Sequence, residues 1–112
     1  MQSRVPPYFD FLIERVDRGM VSRCVHLGHW DAAPPLNTDE PPQPEEIARA
    51  VERLNQVLLD MAALHDGQRV LDVGCGFGAT LQHINQHFGN MWLVGANIDP
   101  RQLAICRSLV PQ

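Results

Sequence analysis

The sequence predicts an α/β fold, with helices first and a β-α-β-α run after them. Three observations carry that prediction. A short apolar run enters a glycine-rich turn and leaves it as a helical pattern, VLDVGCGFGAT, Val70 to Thr80. A second apolar run, Met91 to Ile98, follows a Gly89-Asn90 turn. Upstream, Ile47, Val51, Leu54, Leu58 and Met61 recur at steps of three and four, the spacing of one helix face.

Taken in order, Pro7 to Met20 reads as a first helix, with Phe9, Leu12, Val16 and Met20 near helical spacing and a proline suited to the start. Val21 to Trp30 is mixed. Asp31 to Pro44 reads as a loop, because Pro34, Pro35, Pro41, Pro42 and Pro44 sit among Asn37, Thr38 and Asp39. The expected division is an N-terminal helical arm with its proline-rich loop, 1–43, and a second part, 44–112. Glu45 to Leu64 is the longest predicted helix. Pro44 and the Glu45–Glu46 pair fit its N-terminus, and the stripe from Ile47 to Met61 is expected to pack in the core. Strand Arg69–Val73, a helix from about Gly78 to Phe88, strand Met91–Ile98 and a last helix with Pro100 at its first position complete the chain. Parallel strands joined by a helix imply a right-handed crossover and a Rossmann-like layout.

Composition narrows the function. A net charge of −4 over 112 residues gives no basic footprint, so nucleic acid is not an expected partner. No apolar run approaches the roughly 20 residues that cross a bilayer, and the first residues, MQSRVPPYFDFLIERV, carry prolines and charges where a secretion signal needs an apolar stretch. The expected location is the cytoplasm, with no membrane partner. The cysteines Cys24, Cys75 and Cys106 are odd in number and form no CxxC pair, which argues against a disulfide framework or zinc site. His83 and His87 stand four apart but lack a visible third ligand, so no metal is expected.

The turn itself asks for a ligand. Gly74-x-Gly76-x-x-Ala79 satisfies the dinucleotide pattern G-x-G-x-x-G/A. Glycines let a backbone approach a ligand closely, and the following helix start offers free N–H groups. Asp72 decides between ligands: a carboxylate just before the turn repels a pyrophosphate. It suits a ligand with an ammonium group and little negative charge, such as S-adenosylmethionine.

Val70 to Gly78 resembles motif I of the class I S-adenosylmethionine-dependent methyltransferases, and Leu93 to Leu103, LVGANIDPRQL, resembles the family's second motif. In that family a residue at the end of the second strand holds the ribose hydroxyls, commonly Asp or Glu. The matching residue here is Asn97. Three readings stay open. Asn97 acts with Gln102, as in a subset that pairs a neutral polar residue with a glutamine five positions on, or Asp99 takes the ribose, or none of them does. His26-Leu27-Gly28-His29-Trp30-Asp31 resembles an upstream HxGxW-D stretch of small-molecule methyltransferases, where the arm folds over cofactor and substrate. The resemblance implies cofactor contacts from His26, Asp72, Gly74, Cys75, Gly76, Gly78, Asn97, Ile98 and Gln102. Cys75 reads as a small filler of the turn, although its place near a helix start would lower its pKa.

The family's domain has seven strands, and this sequence supplies two. The expectation is a partial, truncated methyltransferase fold, supplying the cofactor-binding half for methyl transfer to a small-molecule acceptor at O, N or C. The alternatives are a non-catalytic fragment that binds the cofactor or oligomerises, and a nicotinamide-binding fragment, which Asp72 disfavours. Two parallel strands leave two unpaired edges, so a homo-oligomer or a complementing chain is an expected partner. The sequence names no catalytic base.

Overall fold

A computed structural model describes residues 5–19, 22–31 and 41–109. The elements are α1 (Tyr8–Asp17), α2 (Pro44–Ala62), β1 (Arg69–Val73), α3 (Ala79–His87), β2 (Trp92–Ala96) and α4 (Pro100–Leu109). The class is α/β, as the sequence predicts. Most of the expected proline-rich loop, including Pro34 and Pro35, lies outside the described residues.

The chain divides into two compact units that interleave along it. One comprises Met1–Val25 and His65–Gln112, and the other His26–Leu64.

The first unit holds the sheet. β1 and β2 pair in parallel, with Asp72 opposite Gly95 and Val73 opposite Ala96. The turns that feed the two strands are stapled together. Gly67 donates its N–H to the Gly89 carbonyl, and Gly89 donates to Asp66 Oδ1, both at 2.9 Å. Side chains alternate along each strand. Val70, Asp72, Leu93 and Gly95 point to the more covered face, where Cys75, Leu81 and Cys106 form a buried cluster with Leu93 and Leu103 against it. The opposite face carries Leu71, Val73, Trp92 and Val94, and it is open: Val73 is 78% exposed and Trp92 61%. Arg69 stacks its guanidinium over the Trp92 ring at 4.4 Å. A groove of about 780 Å³ runs along β2, lined by Leu81, Asn85, Leu103, Cys106 and Arg107 as well as the strand. It does not include the glycine turn.

An ion pair, Arg101 Nη1 to Asp10 Oδ1 at 2.6 Å, links α1 to α4 within this unit. Leu12 is its buried residue.

The second unit is α2 and the segment before the proline-rich stretch. Glu46 caps the helix start by accepting the Gln43 N–H at 2.8 Å, with Pro44 in the first turn where no N–H is needed. The 26–31 segment lies on α2. His29 donates its N–H to the Ala50 carbonyl at 2.7 Å, and Asp31 meets Arg53 at 3.4 Å. A Cβ on Gly28 would come within 2.5 Å of Ala50 Cβ, so only glycine permits this approach. The expected core stripe of α2 is corrected here. The buried residues are Ala50, Val51, Asn55 and Leu59, while Ile47, Leu58 and Met61 are exposed. Periodicity announces an apolar face but not which flank of it finds cover.

Candidate functional site

The candidate site is built at the C-terminal ends of the two parallel strands, where chain reversals leave backbone groups free. β1 delivers Asp72 and Val73 into the turn. Gly74, Gly76 and Gly78 all take positive φ, +84°, +54° and +83°, a region side chains rarely enter. The turn is pinned to β2 by one acceptor: the Ala96 carbonyl receives the Gly74 N–H at 2.7 Å and the Cys75 N–H at 3.1 Å. Gly78 then donates to the Cys75 carbonyl at 2.8 Å and opens α3. A Cβ on Gly78 would run into Cys106 of α4, which binds α3 and α4 closely at the turn. At Gly74 the same position is open space.

Asp72 is half-buried, and removal from water raises its carboxyl above the ordinary 3.8. No cation among the described residues pairs with it. Cys75 behaves oppositely to what a helix start alone would dictate. Burial first, then the neighbouring Cys106 and the Asp72 charge, push its thiol up to about 11. The thiol stays protonated, so Cys75 is a buried filler and not a nucleophile.

Asn97 follows Ala96 directly and is partly exposed. Its Nδ2 donates to Gln102 Oε1 at 2.7 Å. Gln102 is 2% exposed, and its Nε2 has no partner. Ile98 is open to solvent. Asp99, the competing candidate, is fully buried and occupied. Its Oδ1 accepts from Arg101 N–H and Nε, and its Oδ2 from Arg101 Nη2. The guanidinium holds this carboxyl below its ordinary value. The structure therefore leaves Asn97, not Asp99, open at the strand end.

The turn glycines, Asp72, Cys75, Asn97, Ile98 and Gln102 thus gather at one end of one unit. His26 belongs to the other unit. Its Nδ1 donates to the Leu27 carbonyl at 2.9 Å, which leaves Nε2 as an acceptor, buried and unpaired. Two residues that sequence reasoning passed over matter to the site. Arg101 removes Asp99 from it. Gly95 makes room inside it, since a Cβ there would sit 2.8 Å from both Cys75 Sγ and Leu81 Cδ1. A glycine inside a strand is the signal that was available for the second.

No family model matches the chain. Among characterised proteins it is 31% identical over 106 residues to the methyltransferase GfsG of Streptomyces halstedii, covering 95% of this chain and 34% of that one. It is 29% identical over 85 residues to the O-methyltransferase rstn1 of Aspergillus nomiae, covering 75% of this chain and 33% of that one. The chain therefore spans about a third of the length of these relatives. Among solved structures, the [4+2]-cyclase SpnF superposes with a TM-score of 0.66 at 22% identity, over 90% of this chain and 34% of that one. That likeness is one of fold.

Proposed function

We propose that the chain, whose curated relatives are named methyltransferases, belongs to the class I S-adenosylmethionine-dependent methyltransferase family and supplies the cofactor-binding part of an enzyme that methylates a small molecule at O, N or C. The observation that carries this reading is Asp72: a desolvated carboxylate that no cation among the described residues pairs with, on the strand that feeds three positive-φ glycines. An unpaired, half-buried carboxylate is costly in isolation and gains from a cationic ligand. S-adenosylmethionine is such a ligand. It carries an ammonium group, and its sulfonium cation supplies the transferable methyl group.

The residues fit that group in three further respects. The space beside Gly74 is open to a close approach. Asn97 offers a neutral amide to a ribose hydroxyl at the strand end. Asp99, whose fixed charge would otherwise sit beside it, is taken up by Arg101. The chain's part in the chemistry is then binding and alignment. A small-molecule acceptor is supported by the resemblance of the 26–31 segment, and oxygen as the acceptor atom by the name of one relative, an O-methyltransferase.

The test is calorimetric titration of the chain with S-adenosylhomocysteine, using NADH as the control. Micromolar binding of the first alone supports the reading. Binding of NADH alone would refute it and favour a dinucleotide site.

A second reading rests on a different observation. The open sheet face of Leu71, Val73, Trp92 and Val94 is apolar, and among the described residues each strand has one unpaired edge. Such a surface suits an oligomerisation fragment. Sedimentation separates the two: a stable oligomer without S-adenosylhomocysteine binding favours this second reading.

A further inference from the structure

The last turn of α3 carries an inference that does not depend on the cofactor reading. His83 and His87 stand four residues apart on this helix, so their side chains share one face, a turn apart. On a helix, that is the spacing at which two imidazoles bind one metal ion. The sequence offers only the spacing. The fold adds three observations to it.

The rings are already together. They stack with centroids 4.1 Å apart and planes 17° from parallel. Two nitrogens held at right angles on one ion, with bonds of about 2.0–2.1 Å, stand about 3 Å apart. Near-parallel rings at this separation need only tilt toward one another to reach that spacing. His87 is also set as a ligand. Its Nδ1–H donates to the His83 carbonyl at 2.8 Å. The proton therefore sits on Nδ1, and Nε2 keeps its lone pair. A ring N–H given to a backbone carbonyl is a usual support of a metal-bound histidine. Finally, His87 is the last residue of α3. The negative end of the helix dipole falls there and favours a cation.

His87 is exposed and His83 partly so, which lets an ion arrive without opening the fold. Among the described residues no group of three ligating side chains forms. Water then fills the remaining positions on the ion. Imidazole suits copper, nickel and zinc, whereas magnesium and calcium take oxygen ligands.

We infer that His83 and His87 form a surface chelate for a divalent transition-metal cation of the copper, nickel and zinc group, at the C-terminal end of α3. The bound ion joins two successive turns of the helix that the glycine turn opens. It stabilises that helix, because helical backbone is what brings the two rings together.

The test titrates the full 112-residue chain, first stripped of metal with a chelator, with Ni2+ by calorimetry. Ni2+ is the probe because Cu2+ would also oxidise the free thiols. Mg2+ is the control. The expected result is one Ni2+ per chain, a higher melting temperature at saturation and selective paramagnetic broadening of the His83 and His87 ring resonances. Mg2+ should do none of these. His83→Gln and His87→Gln should each weaken Ni2+ binding at least about tenfold, the scale on which metal sites respond to losing a supporting group, and each should abolish the rise in melting temperature. His65→Gln, outside the pair, should bind as the wild type does. Full affinity in either variant of the pair, or an equal loss in His65→Gln, would overturn the inference by placing the ion elsewhere. A melting temperature lowered by Ni2+ would also overturn it, since the ion would then favour the unfolded chain. So would a wild-type chain that binds no Ni2+.

Discussion

Arg101 encloses Asp99: its backbone N–H, Nε and Nη2 all donate to one buried carboxylate, at 2.9, 3.0 and 2.8 Å. Its remaining terminal nitrogen reaches Asp10 of α1, 91 residues away in sequence, at 2.6 Å. One side chain thus stops the start of α4, neutralises a charge beside the candidate site and ties the first helix to the last.

Asp99→Ala should destabilise the chain by about 1 kcal/mol, the usual cost of a lost helix-start acceptor, in urea unfolding at neutral pH. The sign of the pH dependence follows from the lowered carboxyl. Its contribution is complete above the ordinary 3.8 and is lost as pH falls through the lower folded value. The gap between variant and wild type should therefore close in acid. A gap that stays constant down to pH 2 would show that the carboxylate charge contributes nothing.

Asp72→Asn should move stability and binding in opposite directions. The carboxyl is raised above 3.8 by burial, so its charge costs stability increasingly as pH rises through the folded value. The neutral amide should melt higher at pH 7. It should also bind S-adenosylhomocysteine about ten- to a hundredfold more weakly, the loss of a charge-assisted contact. In the wild type, ligand affinity should fall as pH drops through the raised Asp72 value. Unchanged affinity in the variant would remove Asp72 from the site.

Gly78→Ala places a Cβ against Cys106 at a φ of +83°. Overpacking of this kind costs about 1–3 kcal/mol. Adding Cys106→Ala should recover part of the loss, because the two sites share one contact. Chemical denaturation of the two single variants and the double variant measures the coupling, and strict additivity would mean that α3 and α4 do not meet there.

Cys75, with its thiol pushed up to about 11, should resist iodoacetamide near neutral pH. Its alkylation rate in the folded chain should climb as pH rises toward that value, as followed by mass spectrometry of the peptide around the turn. Rapid alkylation at pH 7 would contradict the buried, protonated thiol. Cys75→Ala should retain cofactor affinity.

The ends of the elements show what can be read locally. Strand Arg69–Val73 is found as predicted, and α3, β2 and α4 begin within one residue of the expected positions. Each is announced by neighbours in sequence: the alternation of a strand, three glycines in a tight turn, a proline at a helix start. α2 was legible as a helix for the same reason. Its buried side was not, because Ile47, Leu58 and Met61 satisfy the periodicity without finding cover.

The sequence by itself determined the glycine turn, the order of strands and helices around it, and the carboxylate and amide that flank it. Spacing and residue chemistry are local properties, and local properties survive without coordinates. Only the tertiary structure showed that Asp99 is buried under Arg101 while the Asn97 amide stays partly exposed at the strand end. Only it showed how burial, and then the neighbouring Cys106, push the Cys75 thiol up. Desolvation and pairing depend on what lies beside a group in space, and no pattern along the chain specifies that.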